Sequence, residues 1–112
     1  MRRQVFAALI AGTALAAGFA GTASAQEPMN IAFTVHSSAS NPFWQAVKKG
    51  FDDACAKIQA NCQMVFTQTE GSIDQQQANM QAALAANPDA LITSIVDNIA
   101  FDQPIADARK AG

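Results

Sequence analysis

Between residues 37 and 44 the chain places Ser37, Ser38, Ser40 and Asn41 directly before Phe43 and Trp44. Hydroxyls and an amide donate and accept hydrogen bonds in several directions, and a flat ring covers the apolar face of a sugar ring. That mixture suits a polyhydroxylated ligand. The plainer reading is that Asn41 only caps a helix, Phe43 only packs and the serines fill a loop. Other chemistry-bearing residues are sparse. His36 is the single histidine and reads as a surface or edge residue beside that loop. Glu70 and Asp74 lie close in sequence, yet a capping role accounts for Asp74 without acid–base chemistry. The chain has no Gly-x-Ser-x-Gly elbow, and one histidine cannot build a metal cluster. No catalytic residue, metal ligand or cofactor is therefore expected.

Elements must hold these residues in place. Residues 30–35 (Asn-Ile-Ala-Phe-Thr-Val) are a short apolar run rich in β-branched and aromatic side chains, which predicts a strand. Asn41-Pro42 predicts a helix start, with a capping side chain followed by proline at the first helical position. Phe43, Val47, Phe51, Ala54 and Ile58 recur at steps of four or three and predict its apolar face. Lys48, Lys49, Asp52, Asp53 and Lys57 form the wet face, and Asn61 is expected to end the helix in a left-handed conformation. Residues 63–68 predict the second strand. Ser72-Ile73-Asp74-Gln75 fits a capping box, and Ile73, Gln77, Met80 and Leu84 mark the next helix face. The Gln75-Gln76-Gln77 run reads as a solvated face, and Asn87-Pro88 stops the helix. Residues 90–96 are almost continuously apolar, as expected for a parallel strand covered on both faces. A third helix is expected over 101–111, with Ile105 and Ala108 inward, Pro104 in its first turn and Gly112 as its stop.

Strand and helix alternate three times, which predicts an α/β fold: a partial doubly wound parallel sheet of three βα units with right-handed crossovers. Ligands in such sheets bind beyond the carboxyl ends of the strands. The loops at 36–41, 69–74 and 97–101 therefore carry the functional question. Three strands leave an exposed edge and a thin core, so residues 26–112 are expected to be an incomplete lobe of a larger protein.

The 112-residue chain carries 7 Lys+Arg against 9 Asp+Glu, a net charge of −2, and half of it is apolar. Residues 1–25 read as a secretory signal peptide: Arg2-Arg3, an apolar run over 5–20, then Ala23-Ser24-Ala25 with cleavage after Ala25. Its many Ala, Gly and Thr residues make it too weakly hydrophobic for a good membrane anchor. Without Arg2 and Arg3, five basic residues face nine acidic ones, a charge of −4. Basic residues cluster only at Lys48-Lys49 and Arg109-Lys110, which excludes nucleic acid as a partner. The segment implies a soluble exported protein, most simply periplasmic in a Gram-negative bacterium, and the periplasm is an oxidising compartment. The seven-residue separation of Cys55 and Cys62 matches neither a C-x-x-C redox pair nor a metal knuckle. A bridge closing a small loop between a helix end and the next strand is the favoured reading, and two unpaired, partly buried thiols are the alternative.

The stretch Ile-Ala-Phe-Thr-Val-His-Ser-Ser-Ala-Ser-Asn-Pro-Phe-Trp (31–44), followed by Ala-Val-Lys-Lys-Gly-Phe-Asp-Asp-Ala, resembles the start of a periplasmic sugar-binding protein of the ribose-binding type. These are the substrate-binding components of ABC transporters, with the type 1 periplasmic binding fold. Asp-Gln-Gln-x-x-x-Met-Gln (74–81) and Pro-Asp-Ala-Leu-Ile-x-Ser (88–94) fit the same pattern. The resemblance implies three βα units of an N-terminal lobe, a non-catalytic role, and capture of a monosaccharide or polyol by closure of two lobes. It implies that Ser37 and Asn41 hydrogen-bond sugar hydroxyls, and that Phe43 and Trp44 stack on the ring. Ser94 falls where ribose-binding members carry an asparagine that contacts the sugar, so a pentose, a hexose and a polyol all remain open. Asp97 is either a contact or the acid that starts the third helix, and the latter is favoured. The family's Asp-Arg pair, its hinge strands and its second lobe would lie beyond Gly112. The implied partners are a small sugar or polyol and an ABC permease in the inner membrane, the whole protein being a monomer. An exported α/β enzyme such as a hydrolase, with catalytic groups in a C-terminal part, is the alternative. A repressor's effector domain shares the fold, but the signal peptide and the lack of a helix-turn-helix argue against it.

Overall fold

Strand β1 (Asn30–Thr34) lies at the centre of a three-stranded parallel sheet, flanked by β2 (Asn61–Val65) and β3 (Ala90–Thr93) in the order β2-β1-β3. The computed structural model describes residues 25–112, so the expected signal peptide, Ala25 apart, lies outside the described residues. Helices α1 (Pro42–Ile58), α2 (Ile73–Ala85) and α3 (Asn98–Ala111) follow the three strands in turn. The α/β fold class expected from the alternation is the one observed. The central place of β1 follows from its composition: Ala32, Thr34 and the next residue, Val35, are all buried.

The two sheet faces are covered by different helices. Phe33 points towards α1, where its ring meets Phe51 at 5.5 Å and Trp44 at 6.2 Å, both edge to face. On the other face the Thr34 hydroxyl donates to Thr93 Oγ1 at 3.1 Å, and Gln76 Nε2 of α2 donates to the same Thr93 oxygen at 3.3 Å. Helices α2 and α3 carry the largest fully buried side chains, Phe101, Met80 and Gln76.

Several local expectations need correction. The inward row of α1 is Trp44, Val47, Phe51 and Cys55, while Phe43 and Ile58 stand 66% and 62% exposed. The contacts of Phe33 with Trp44 and Phe51 set that rotation, and Cys55 is drawn in by its disulfide to Cys62. The left-handed residue after α1 is Gln59, at φ 55°, not Asn61. The chain therefore turns early, and β2 starts at Asn61, whose N–H donates to Met29 O at 2.7 Å. β3 ends at Thr93 instead of continuing to Val96, and Ile92, Ile95 and Val96 are exposed, so the strand is not covered on both faces. The glutamine run is not a solvated face. Gln76 is fully buried, and Gln75 Oε1 accepts from the N–H groups of Gln68 and Thr69. Ser72 caps α2 by accepting from Gln75 N, but Gln75 does not complete the reciprocal half of a capping box.

Helix α3 starts earlier than expected, at Asn98, because Asp97 Oδ1 accepts from Ala100 N at 2.7 Å. Pro104 thereby falls in the second turn, where its missing N–H leaves the Ala100 carbonyl without its helical donor. Gln77 of α2 fills that role, its Nε2 donating to Ala100 O at 2.6 Å. Gln77→Ala is expected to cost about 1 kcal/mol in urea unfolding, as a part-buried carbonyl loses its donor. In a Pro104→Ala background the restored N–H should absorb most of that cost. Equal costs in both backgrounds would show that the carbonyl does not depend on Gln77.

Candidate functional site

Beyond the carboxyl ends of the strands, the loops after β1 and β2 are stitched together through the main chain. Thr67 N donates to Ser37 O at 3.0 Å and Gly71 N to His36 O at 2.7 Å. Gly71 adopts φ +69°, a conformation that costs a residue without Cβ little. The turn thus aims Glu70 at the serine loop. Its carboxylate accepts from Ser37 Oγ at 2.7 and 2.8 Å, from Ser38 N at 2.9 Å and from Asn41 Nδ2 at 3.2 Å. The Ser38 N–H, followed by the Ser37 hydroxyl, holds the Glu70 carboxyl below its ordinary value of 4.5. A depressed carboxyl stabilises the folded loop above the ordinary value. That contribution is lost only as pH falls through the lower, folded-state value.

Asn41 is used at both ends, since its Oδ1 accepts from Phe43 N at 3.0 Å and caps α1. Ser37 is fully buried beneath the loop, with its hydroxyl on Glu70. Ser38 and Ser40 pair through their hydroxyls at 2.9 Å.

The aromatic part of the site adjoins β3. Trp44, half-buried on the first turn of α1, has the His36 ring at 5.3 Å and the Phe43 ring at 5.2 Å, both edge to face. Ser94 Oγ accepts from His36 N at 3.2 Å and lies 2.7 Å from His36 Nδ1. Gln76 Nε2 donates to the Ser94 carbonyl, anchoring the end of β3 from below. His36 therefore connects Ser94 to Trp44, and its neighbour Ser37 connects them to Glu70 and Asn41. Phe43 extends from this group into solvent, and Asp97 serves as the cap of α3.

All five residues expected at a sugar site thus lie along one rim of the sheet, with His36 and Glu70 from two of the loops expected there and with Gln76, which was expected on a solvated face. Cys55 and Cys62, joined by a disulfide, sit where α1 runs into the start of β2. A groove of about 670 Å³ lined by Asn30, Asn61, Asn79, Ala83 and Pro88 has no ionisable side chain in its wall. Among the described residues no group of three or more His, Cys, Asp or Glu side chains could hold a metal ion.

Residues 31–112 match the family described as the periplasmic binding protein domain. The xylose/arabinose-binding protein XylF of Sulfolobus acidocaldarius is 31% identical over 72 residues, which are 64% of this chain and 18% of that protein. A periplasmic sugar-binding protein of an ABC sugar transporter from Legionella pneumophila superposes with a TM-score of 0.68 at 22% identity, over 73% of this chain and 30% of that one. A periplasmic ribose ABC transporter protein from Conexibacter woesei also gives 0.68, at 21% identity, over 76% and 28% of the two chains. The two structures share the fold. The chain spans less than a fifth of the curated relative's length.

Proposed function

The chain belongs to the periplasmic binding protein domain family, and from that premise we propose that it supplies one wall of the sugar site of an ABC importer's substrate-binding protein. The observation that carries this reading is the arrangement of Trp44 against His36, whose ring is hydrogen-bonded to Ser94, at the strand ends, with Asn41 on the same rim. A half-buried indole with a hydroxyl and an amide nearby provides an apolar platform and directional polar groups, the two requirements of a sugar ring. In this reading Trp44 and Phe43 cover the ring face and Asn41 and Ser94 belong to the polar side of the site, whereas Ser37, expected there too, is fully buried with its hydroxyl on Glu70 and supports the loop from beneath. Residues 26–112 are the first lobe, and a second lobe closes over the ligand on a hinge, the sugar favouring the closed state. The loaded protein, a monomer, then delivers its sugar to a permease in the inner membrane. The ligand is a pentose, a hexose or a polyol.

The proposed role is non-catalytic. His36 and Ser94 are the nearest approach to a base–nucleophile pair, but the contact uses Nδ1, and no described hydrogen bond gives the ring a carboxylate partner. The pair is better read as a link between two strand ends. Export by residues 1–25 belongs to the same proposal, and the exported product should begin at Gln26 by mass spectrometry.

Trp44 is the only tryptophan among the 112 residues, and subtracting the emission of a Trp44→Phe variant isolates its signal in the two-lobed protein. In the two-lobed protein, D-xylose, L-arabinose, D-ribose and ribitol are the first probes. At least one should produce a saturable change in Trp44 fluorescence, with far weaker binding by the 112 residues alone. No response to any sugar or polyol at millimolar concentration would overturn the reading.

A further inference from the structure

We propose that Glu70 is the positioning residue of this site, the group that holds the β1–α1 loop in the form that presents Asn41 and Trp44. The proposal rests on the sugar-binding reading for its consequence, but not for its geometry. Three groups from one loop converge on this carboxylate: the Ser37 hydroxyl, the Ser38 N–H and the Asn41 amide. All three act as donors, so the partner they require is an acceptor at both oxygens. An ionised carboxylate meets that requirement, whereas an amide turns an NH2 group towards at least one of the donors.

The charge has no other evident use. None of the ion pairs among the described residues includes Glu70. Its hydrogen-bond partners are neutral groups of the β1–α1 loop, 29 to 33 residues away in sequence.

The consequence reaches the ligand-facing groups through Asn41. With Nδ2 on Glu70, the amide is oriented so that Oδ1 faces Phe43 N and caps α1. That choice leaves the second Nδ2 hydrogen for a ligand. It also fixes the first turn of α1, which carries Phe43 and Trp44. Ser37, buried under the loop, is held by the same carboxylate. Glu70 thus acts on the ligand through residues of another loop.

The test is Glu70→Gln, read in two ways. In the ligand-free chain, the Ser38 backbone amide and the Asn41 side-chain amide should shift in a proton–nitrogen NMR spectrum, with the core resonances in place. In the two-lobed protein, affinity for whichever of D-xylose, L-arabinose or D-ribose binds the wild type should fall by about tenfold, the scale of a lost charge-assisted contact. Unmoved Ser38 and Asn41 resonances, or unaltered affinity, would overturn the proposal. A wild type that binds no sugar would overturn the function proposed above, and the two amide resonances would still decide whether Glu70 orders the loop. If Glu70→Gln fails to fold, Ser37→Ala, which removes one donor and keeps the carboxylate, should show smaller shifts of the same amides. Their absence would count against the proposal equally.

Discussion

Replacing Phe101 by alanine is expected to lower the unfolding free energy by about 3–5 kcal/mol, measured by urea denaturation followed by circular dichroism. Phe101 is the largest fully buried side chain and stands on α3, which packs against α2, the helix that carries the fully buried Met80 and Gln76. The rest of the buried apolar set is Ala32, Val35, Cys55 and Met80, so little is available to collapse into the cavity. A domain of this size has only about 5–15 kcal/mol in total, and the variant should be largely unfolded well below the wild-type midpoint. A cost under about 1 kcal/mol would mean that α3 contributes little to the cooperative unit.

Trp44→Ala should weaken sugar binding in the two-lobed protein by about 2 kcal/mol or more, roughly thirtyfold, with Trp44→Phe keeping part of the loss. Calorimetry is the measurement, because the substitution removes the fluorophore. Phe43→Ala is the comparison. Phe43 is mostly exposed, whereas Trp44 is half-buried against Phe33 and His36, so Trp44→Ala should cost more folding stability than Phe43→Ala. Unchanged affinity in Trp44→Ala would move the sugar's apolar face away from α1.

What was legible in the chain was whatever is decided locally. Asn41 and Ser72 announce helix starts because a cap bonds an N–H two or three residues on, and each does so here. Asp97 does the same for α3, as favoured from the sequence. The apolar runs placed all three strands, and their alternation with helices gave the sheet. What depends on distant partners was not legible. The limits of β2 follow from pairing with Asn30–Thr34, and the rotation of α1 follows from the ring of Phe33 across the sheet. Gln76 looked solvated because glutamine usually is, and only the carboxyl end of β3 gives it partners. At the candidate site, the serine, asparagine and aromatic residues could be read from their types. The part played by Glu70 could not, since its donors lie a whole βα unit earlier. The Glu-Gly pair just after a strand was the one available hint, because a glycine there permits a turn that aims its neighbour across the strand ends.

The bridge between Cys55 and Cys62 spans only seven residues, and this has a bearing on the order of folding events. Chain segments of that length meet on a timescale of about 10–100 ns, far sooner than strands separated by a whole helix find each other. Bond formation itself is far slower, but once oxidised the chain refolds with the end of α1 already joined to the start of β2 while the sheet is still unformed. Cys62 sits directly across from Ile31 in the finished ladder. A corner closed this early presents β2 to β1 with few alternative registers to try, a kinetic guide that operates only where an oxidant is at hand.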